Sequence, residues 1–254
     1  MVLAVDVGNS NITFGAFFEG SLVFSGRIAT DMCATEDEYA SRALSLLSLY
    51  GIDITEIEGA IVSSVVPTLN GVIKKAIRFL FDTEPLFVGP GIKTGIGIRC
   101  DTPSSVGADL ICASVAAHAL YGSPSLVIDV GTATKMTVVD KSGAFAGTSI
   151  APGLLMGLNA LADGTAQLPH VSLEAPSNVV AKNTVDCIKS GVVFGHAAMI
   201  DGMIDRIRAE LAEDIPVYIT GGLAEAVLPY FHHEMTLDEN LVLKGLYILY
   251  SKNN

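Results

Sequence analysis

The order of apolar and polar residues predicts two similar α/β halves. Apolar, β-branched runs bounded by turn residues predict strands. A three-stranded unit is predicted twice, at residues 2–7, 11–18 and 21–29 and again at residues 125–130, 135–140 and 144–150. The repeat begins near the middle of the 254-residue chain, which indicates duplication of one structural unit.

Helices and further strands follow each three-stranded unit in a similar order. Thr35 is a candidate N-cap, because Glu36, Asp37 and Glu38 follow it and suit a first helical turn. Other helices are predicted after Pro67 to residue 81, at 104–121, at 153–162, at 183–212 and at 240–252, and further strands at 59–66, 85–89 and 216–222. We expect an α/β protein of duplicated RNase-H-like lobes, residues 1–117 and 118–254.

A short motif marks the first turn of each half. The run V-D-V-G-N-S-N begins at Val5, and the run I-D-V-G-T-A-T begins at Ile128. Each indicates a strand, a tight turn and a second strand, with a glycine at positive φ and N–H groups suited to phosphate. A single motif of this kind is usually an ordinary turn. Its duplication favours the layout of the actin, sugar-kinase and heat-shock-chaperone ATPases, with a nucleotide cleft between the two lobes.

Three carboxylates are candidates for chemistry. Asp6 and Asp129 end the first strand of each half and could hold Mg²⁺ or a monovalent cation, or could hydrogen-bond their own turns. Asp109, in the run V-G-A-D, opens an apolar helix. It could be a general base toward a substrate hydroxyl or a partner of the helix dipole.

A glycine pair, Gly221 and Gly222, follows the strand predicted at residues 216–222 and opens a helix. Such a pair lets a ribose or ring pack against the backbone, although a left-handed turn between strand and helix would explain it equally. No G-x-x-x-x-G-K-[ST] and no G-x-S-x-G run is present, which excludes a P-loop enzyme and a nucleophile-elbow hydrolase.

The amino-acid composition limits the classes of partner that the protein could bind. The net charge of −12 argues against nucleic acid and anionic membranes as partners. We find no apolar run of about 18 residues and no basic, cleavable leader, and therefore expect a cytoplasmic protein. The four cysteines lack C-x-x-C spacing, and the histidines form no metal pattern.

Together these segments resemble type III pantothenate kinase along nearly the whole chain. Besides the two turn motifs, the matching runs are T-E-D-E-Y from Thr35, S-S-V-V-P from Ser63, V-G-P-G-I-K-T-G from Val88, V-G-A-D from Val106, I-A-P-G from Ile150, A-Q-L-P from Ala166, K-N-T-V from Lys182, T-G-G-L-A from Thr220 and L-K-G-L-Y from Leu243. The resemblance implies a homodimer of actin-like subunits that phosphorylates pantothenate, the first step of coenzyme A synthesis. It also implies ATP, Mg²⁺ and a monovalent cation, K⁺ or ammonium. Helix 110–121, Ala-rich and poor in charge, suits close packing in a dimer, or simple burial within its lobe.

The resemblance also assigns roles by position. Together with the glycine pair, it gives the expected ATP contacts as Asp6, Val7, Gly8, Asn9, Ser10, Asn11, Ile12, Thr13, Thr132, Gly221 and Gly222. Asp129 would hold the monovalent cation. As a strand-end carboxylate, Asp6 could hold Mg²⁺, directly or through water. Asp109 would be the catalytic base. The expected pantothenate contacts are Cys100, Gly107, Ala108, Asp109, Leu110 and Thr184.

Four positions depart from the family pattern. Leu110 stands where the family has Arg, Cys100 where it usually has Tyr, Lys135 where it has Thr, and Thr148 where it has Gly. Leucine offers no donor for a polar contact, so we expect weak pantothenate binding. A nucleotide-binding paralogue with a regulatory role, or with another acceptor, is the alternative.

Overall fold

The computed structural model describes residues 1–254 and divides into two compact units. Unit 1 contains Met1–Gly122, Gly143–Phe145 and Asn240–Asn254, and unit 2 contains Ser123–Ser142 and Ala146–Glu239. These units differ from the expected halves, because residues 118–121 continue a helix of unit 1 and the last helix of the chain packs there too.

Ten strands and seven helices form the two units. The strands are β1 (Val2–Val7), β2 (Asn11–Phe18), β3 (Ser21–Ala29), β4 (Gly59–Ser64), β5 (Leu86–Phe87), β6 (Ser125–Val130), β7 (Ala133–Val139), β8 (Phe145–Pro152), β9 (Val217–Thr220) and β10 (Thr236–Leu237). The helices are α1 (Glu36–Leu49), α2 (Asn70–Phe81), α3 (Ala108–Tyr121), α4 (Leu154–Asp163), α5 (Thr184–Leu211), α6 (Ala224–Val227) and α7 (Leu241–Asn253).

The two sheets share one topology. Their strand orders are β3-β2-β1-β4-β5 and β8-β7-β6-β9-β10. In each sheet the first strand pairs antiparallel with the second and parallel with the fourth of its unit. This equivalence confirms the duplicated RNase-H-like fold.

The central strand of unit 1 is buried on both faces. Leu3, Val5 and Val7 of β1 pack into one core with residues of α1 and α2. Ala4 points into a second core that contains residues of α3 and α7. Helices on both faces explain why β1 reads as a nearly continuous apolar run.

Helix α3 is buried inside unit 1. Residues 108–117 are all buried, and α7 packs closely along the helix. A Cβ at Gly245 of α7 would overlap the backbone of Cys112, so glycine permits this approach. A helix that is apolar on all sides is typical of such burial. The composition of α3 therefore gives no argument for a dimer interface.

Helix α5 is long and apolar enough to cross a membrane by length and composition alone. Ile188, Val192, Val193, Ile200 and Ile204 of this helix lie in the core of unit 2, with residues of β6 and β9. Because the core helix of a globular unit passes the same test, this one helix is weak evidence for a membrane span.

Most predicted elements are present, with local differences at their ends. Thr35 caps α1 in a capping box: Glu38 N–H donates to Thr35 Oγ1, and Thr35 N–H donates to Glu38 Oε2. Helix α3 begins at Ala108 instead of residue 104, because Pro103–Ser105 forms a separate 3-10 turn. The predicted strand at 216–222 ends at Thr220, where Gly221 takes a φ of 101°.

Candidate active site

The β1–β2 loop of unit 1 is held by three hydrogen bonds. Gly8 N–H donates to Asn11 O at 3.0 Å, Thr30 Oγ1 donates to Gly8 O at 2.7 Å, and Thr30 N–H donates to Ser10 O at 3.0 Å. Asn9, Ser10 and Asn11 are exposed. The loop therefore offers fixed, solvent-facing polar groups at the end of β1.

Not every residue predicted to contact ATP has an available side chain. Val7 and Ile12 are buried in the core of unit 1, so only their backbone could reach a ligand. Asp6 and Thr13 are half-buried and face each other across β1 and β2, and Ser63 of β4 lies beside Asp6 in register.

The expectation of positive φ at the loop glycines is wrong. The glycines of the chain with positive φ do not include Gly8 or Gly131. The loop after β1 closes through the bond from Gly8 to Asn11, which needs no left-handed residue. A Cβ at Gly8 would lie 3.0 Å from Asn11 O, so space favours glycine there, whereas a Cβ at Gly131 would meet only ordinary contacts.

The corresponding loop of unit 2 is one residue shorter. Residues 8–11 lie between the paired residues Val7 and Ile12, whereas residues 131–133 lie between Val130 and Thr134. Asp129 consequently faces Lys135 on β7, in the place where Asp6 faces Thr13. Lys135 Nζ donates to Asp129 Oδ2 at 3.0 Å. A lysine ammonium thus lies against the carboxylate predicted to hold a cation.

Two further glycine segments pack against the loop of unit 2. Gly221 has a φ of 101°, and a Cβ there would lie 2.5 Å from Val130 O and 2.6 Å from Asp129 Oδ1. Gly153 N–H, at the start of α4, donates to Thr132 O at 3.1 Å, and a Cβ at Gly153 would overlap Gly131 O. Glycine is therefore required at both places. The sequence motif indicated Gly221 but gave no reason to single out Gly153.

Asp109 lies in the first turn of α3 and is 7% exposed. Its Oδ1 accepts the N–H of Leu110 at 2.9 Å, which is the contact that the helix-dipole interpretation predicts. A Cβ at Gly107 would lie 2.5 Å from Asp109 Oδ1, so glycine leaves room for the carboxylate. The buried, backbone-held carboxylate is geometrically defined, as a catalytic base must be.

Cys112 shows that Asp6 and Asp109 share one neighbourhood. The thiol is fully buried next to Ser63, and burial raises its pKa well above the usual value. The negative charges of Asp6 and Asp109 raise the pKa of the thiol further. Two carboxylates from separate sequence motifs thus act on the same buried atom. The cysteine count alone gave no indication of this cluster.

The predicted pantothenate residues are divided between the units. Gly107, Ala108 and Leu110 belong to the start of α3 in unit 1, where Leu110 is 7% exposed, and Cys100 is half-buried in the same unit. Thr184 belongs to unit 2, where it is exposed at the first position of α5.

The structure contains no group of three or more His, Cys, Asp or Glu side chains placed so that they could hold a metal ion. Mg²⁺ in phosphate-transferring sites is held by one or two carboxylates, phosphate oxygens and water, so it needs no such cluster. Single carboxylates such as Asp6 match this mode of binding.

Comparisons with known proteins agree on one family. The sequence model of the type III pantothenate kinase family matches residues 2–206. A type III pantothenate kinase of Geotalea daltonii is 43% identical over 253 residues, which cover 100% of this chain and 99% of that protein. A type III pantothenate kinase of Citrifermentans bemidjiense is 42% identical, with 100% of both chains covered.

A solved structure supports the fold independently. Component A of (R)-2-hydroxyglutaryl-CoA dehydratase from Acidaminococcus fermentans superposes with a TM-score of 0.57 at 15% identity. The match covers 98% of this chain and 96% of that one. At this identity the similarity concerns the fold alone.

Proposed function

The chain belongs to the type III pantothenate kinase family, and from this premise we propose that it transfers the γ-phosphoryl group of ATP to the hydroxyl of pantothenate. The product would be 4'-phosphopantothenate, the first intermediate of coenzyme A biosynthesis. The observation that carries this proposal is the full-length identity of about 40% to several type III pantothenate kinases.

We propose Asp109 as the general base. As the pantothenate oxygen attacks the γ-phosphorus, the new O–P bond forms and the bond to the β,γ-bridging oxygen breaks, so that ADP leaves. The hydroxyl proton passes to the Asp109 carboxylate. The hydrogen bond from Leu110 N–H supports this role because it orients the carboxylate, and Gly107 leaves the space that the carboxylate occupies.

We propose that the turn motifs contact ATP through polar and backbone groups. The residues concerned are Asp6, Val7, Gly8, Asn9, Ser10, Asn11, Ile12 and Thr13 in unit 1, with Thr132, Gly221 and Gly222 in unit 2. Asp6 would hold Mg²⁺, directly or through water, and Mg²⁺ would neutralise charge on the phosphates. The exposed amides and hydroxyl of Asn9, Ser10 and Asn11 support this assignment.

We propose that Cys100, Gly107, Ala108, Leu110 and Thr184 line the pantothenate site. Leu110 provides a buried apolar side chain where the family has a guanidinium. If that guanidinium made a desolvated polar contact, its absence weakens binding by about 2–5 kcal/mol. We therefore expect a high Michaelis constant for pantothenate.

The monovalent cation expected at Asp129 does not fit the residues present. Lys135 Nζ already lies 3.0 Å from Asp129 Oδ2. A second cation beside the same carboxylate oxygen would be repelled by the ammonium. No step of the reaction is therefore assigned to such an ion.

We further propose a homodimer in the cytoplasm. The family resemblance supports the dimer. The biosynthetic role of the relatives supports the location.

Genetic complementation tests the proposed function. A bacterial strain whose own pantothenate kinase is switched off should grow when it expresses this chain. It should not grow when it expresses Asp109→Asn to the same level. If the folded wild-type protein binds ATP but does not restore growth, the nucleotide-binding alternative replaces the proposed function.

A further inference from the structure

The pair formed by Asp129 and Lys135 is the basis of a further inference. The two residues face each other on antiparallel strands β6 and β7, with Nζ 3.0 Å from Oδ2. The lysine side chain is 20% exposed and the aspartate side chain 19% exposed. We propose that Lys135 supplies, as a covalently attached ammonium, the positive charge for which the family uses a monovalent cation, so that this chain is independent of K⁺ and ammonium. The inference rests on the proposed kinase function.

Both oxygens of the Asp129 carboxylate have close neighbours. Oδ2 accepts from Lys135, and a Cβ added at Gly221 would lie 2.6 Å from Oδ1. A K⁺ ion requires several oxygen ligands and would here meet an ammonium of the same charge. The lysine ammonium carries one positive charge, as K⁺ does, and offers three N–H donors.

The surroundings of Lys135 differ from those of an ordinary surface lysine. Lys141, in the turn after β7, has a side chain 73% exposed and pairs with Glu213 at 3.2 Å. Exposed pairs of that kind are screened by water and salt, whereas partly buried pairs are screened much less. Lys135 therefore places a persistent charge beside the loop that contains Thr132.

The turn geometry explains how a lysine reaches this place. The loop of unit 2 is one residue shorter than that of unit 1, and Lys135 takes the cross-strand position that Thr13 holds opposite Asp6. A short side chain at this position would leave space beside Asp129, whereas the lysine stem fills it and brings Nζ to the carboxylate. Lys135→Thr should consequently recreate a cation site.

Activity in defined salts is the first test. Initial rates with MgATP and pantothenate are measured in choline, Na⁺, K⁺ and ammonium chloride at equal ionic strength. Wild-type rates should agree within about twofold across the four salts. In choline chloride the initial rate of Lys135→Thr should be at least about tenfold lower than that of wild type, as expected for the loss of one charged contact. The rate should recover in K⁺ or ammonium. Lys141→Thr is the matched control and should behave as wild type does.

Cation binding is the second test and needs no turnover. Thallium(I) NMR is recorded for the same three proteins. Their thermal midpoints are compared in KCl and in choline chloride. Saturable, K⁺-specific binding is expected only for Lys135→Thr. If no salt supports phosphorylation of pantothenate, the proposed function fails, and these binding data alone decide the inference about Lys135.

Three results would overturn the inference. One is saturable activation of the wild-type protein by K⁺, and another is specific thallium binding to it. The third is a Lys135→Thr protein with a raised Michaelis constant for ATP that no cation restores, because Lys135 would then be a phosphate contact. If Lys135→Thr does not fold, Lys135→Gln and the wild-type measurements still decide between these results.

Discussion

At the scale of residues, the proposed chemistry depends on a few carboxylates, of which Asp109 is held by a backbone group. Asp109 accepts Leu110 N–H at 2.9 Å, and both Asp109 and Asp6 influence the buried thiol of Cys112. The sequence predicted both aspartates as candidates. It could not predict Cys112 as their common neighbour, because that contact depends on how α3 packs beside β1 and β4.

Replacement of Asp109 by asparagine tests the base. We expect Asp109→Asn to lower kcat by about 10²- to 10⁴-fold, because the amide cannot accept the hydroxyl proton, while the Kd for ATP changes little. Asp37→Asn is the matched control, since Asp37 is the exposed second residue of α1 as Asp109 is the second residue of α3. Steady-state kinetics and ATP titration measure both effects. If turnover is unchanged, Asp109 is not the base and is only a partner of the helix dipole.

Two of the residues that depart from the family pattern, Cys100 and Leu110, allow a second prediction. Restoring the family residues with Cys100→Tyr and Leu110→Arg should raise kcat/KM for pantothenate and leave the KM for ATP nearly constant. Leu110 is buried, so arginine needs room, and the two substitutions need not be additive. The single and double variants are compared at fixed Mg²⁺. A double variant that is folded and kinetically identical to wild type would show that these positions do not contact substrate.

At the scale of elements, strand and helix types followed from local pattern, whereas turn conformations did not. The first three strands lie at the predicted residues because alternating and β-branched runs end at clear turn residues. Glycine motifs were less informative. Gly221 has positive φ, whereas Gly8 and Gly131 do not, because hydrogen bonding and neighbouring atoms decide each turn. Strand β10 is too short, with two residues, to give a periodic signal.

The β9–α6 turn allows a direct test of the difference between a glycine with positive φ and one without. Gly221→Ala should lower the free energy of unfolding by about 1–3 kcal/mol, because alanine at a φ of 101° is strained and its Cβ would meet Val130 O. Gly222→Ala is the control. Gly222 is exposed and has no positive φ, so we expect a change within about 0.5 kcal/mol. Urea unfolding measures both, and equal changes would contradict the turn assignment.

At the scale of the whole molecule, the repeated motif gave the duplicated fold but not the path of the last helix. Helix α7 comes after unit 2 in the chain and packs in unit 1. Its apolar pattern shows that it is buried, but no local signal indicates which unit it joins. The choice depends on a tertiary detail, the close approach of Gly245 to α3.

Removal of α7 should therefore destabilise unit 1. Leu241, Leu243, Leu246 and Leu249 are each at most 2% exposed. The loss of a buried leucine side chain costs about 2–5 kcal/mol, so the loss of four, about 8–20 kcal/mol, is as large as a typical stability of about 5–15 kcal/mol. A chain ending at residue 239 should lose the cooperative melting of unit 1, whereas removal of Asn254 alone should change little. A shortened chain that keeps every melting transition of the full-length protein would contradict the division into units.

Direct identification of the product tests the central claim. Purified protein is incubated with pantothenate, ATP and Mg²⁺, and mass spectrometry follows pantothenate and its 4'-phosphate over time. The account predicts ATP-dependent conversion of pantothenate to 4'-phosphopantothenate with one ADP per product, and almost no conversion by Asp109→Asn. Folded wild-type protein that binds ATP but leaves pantothenate unphosphorylated at saturating concentration would contradict it.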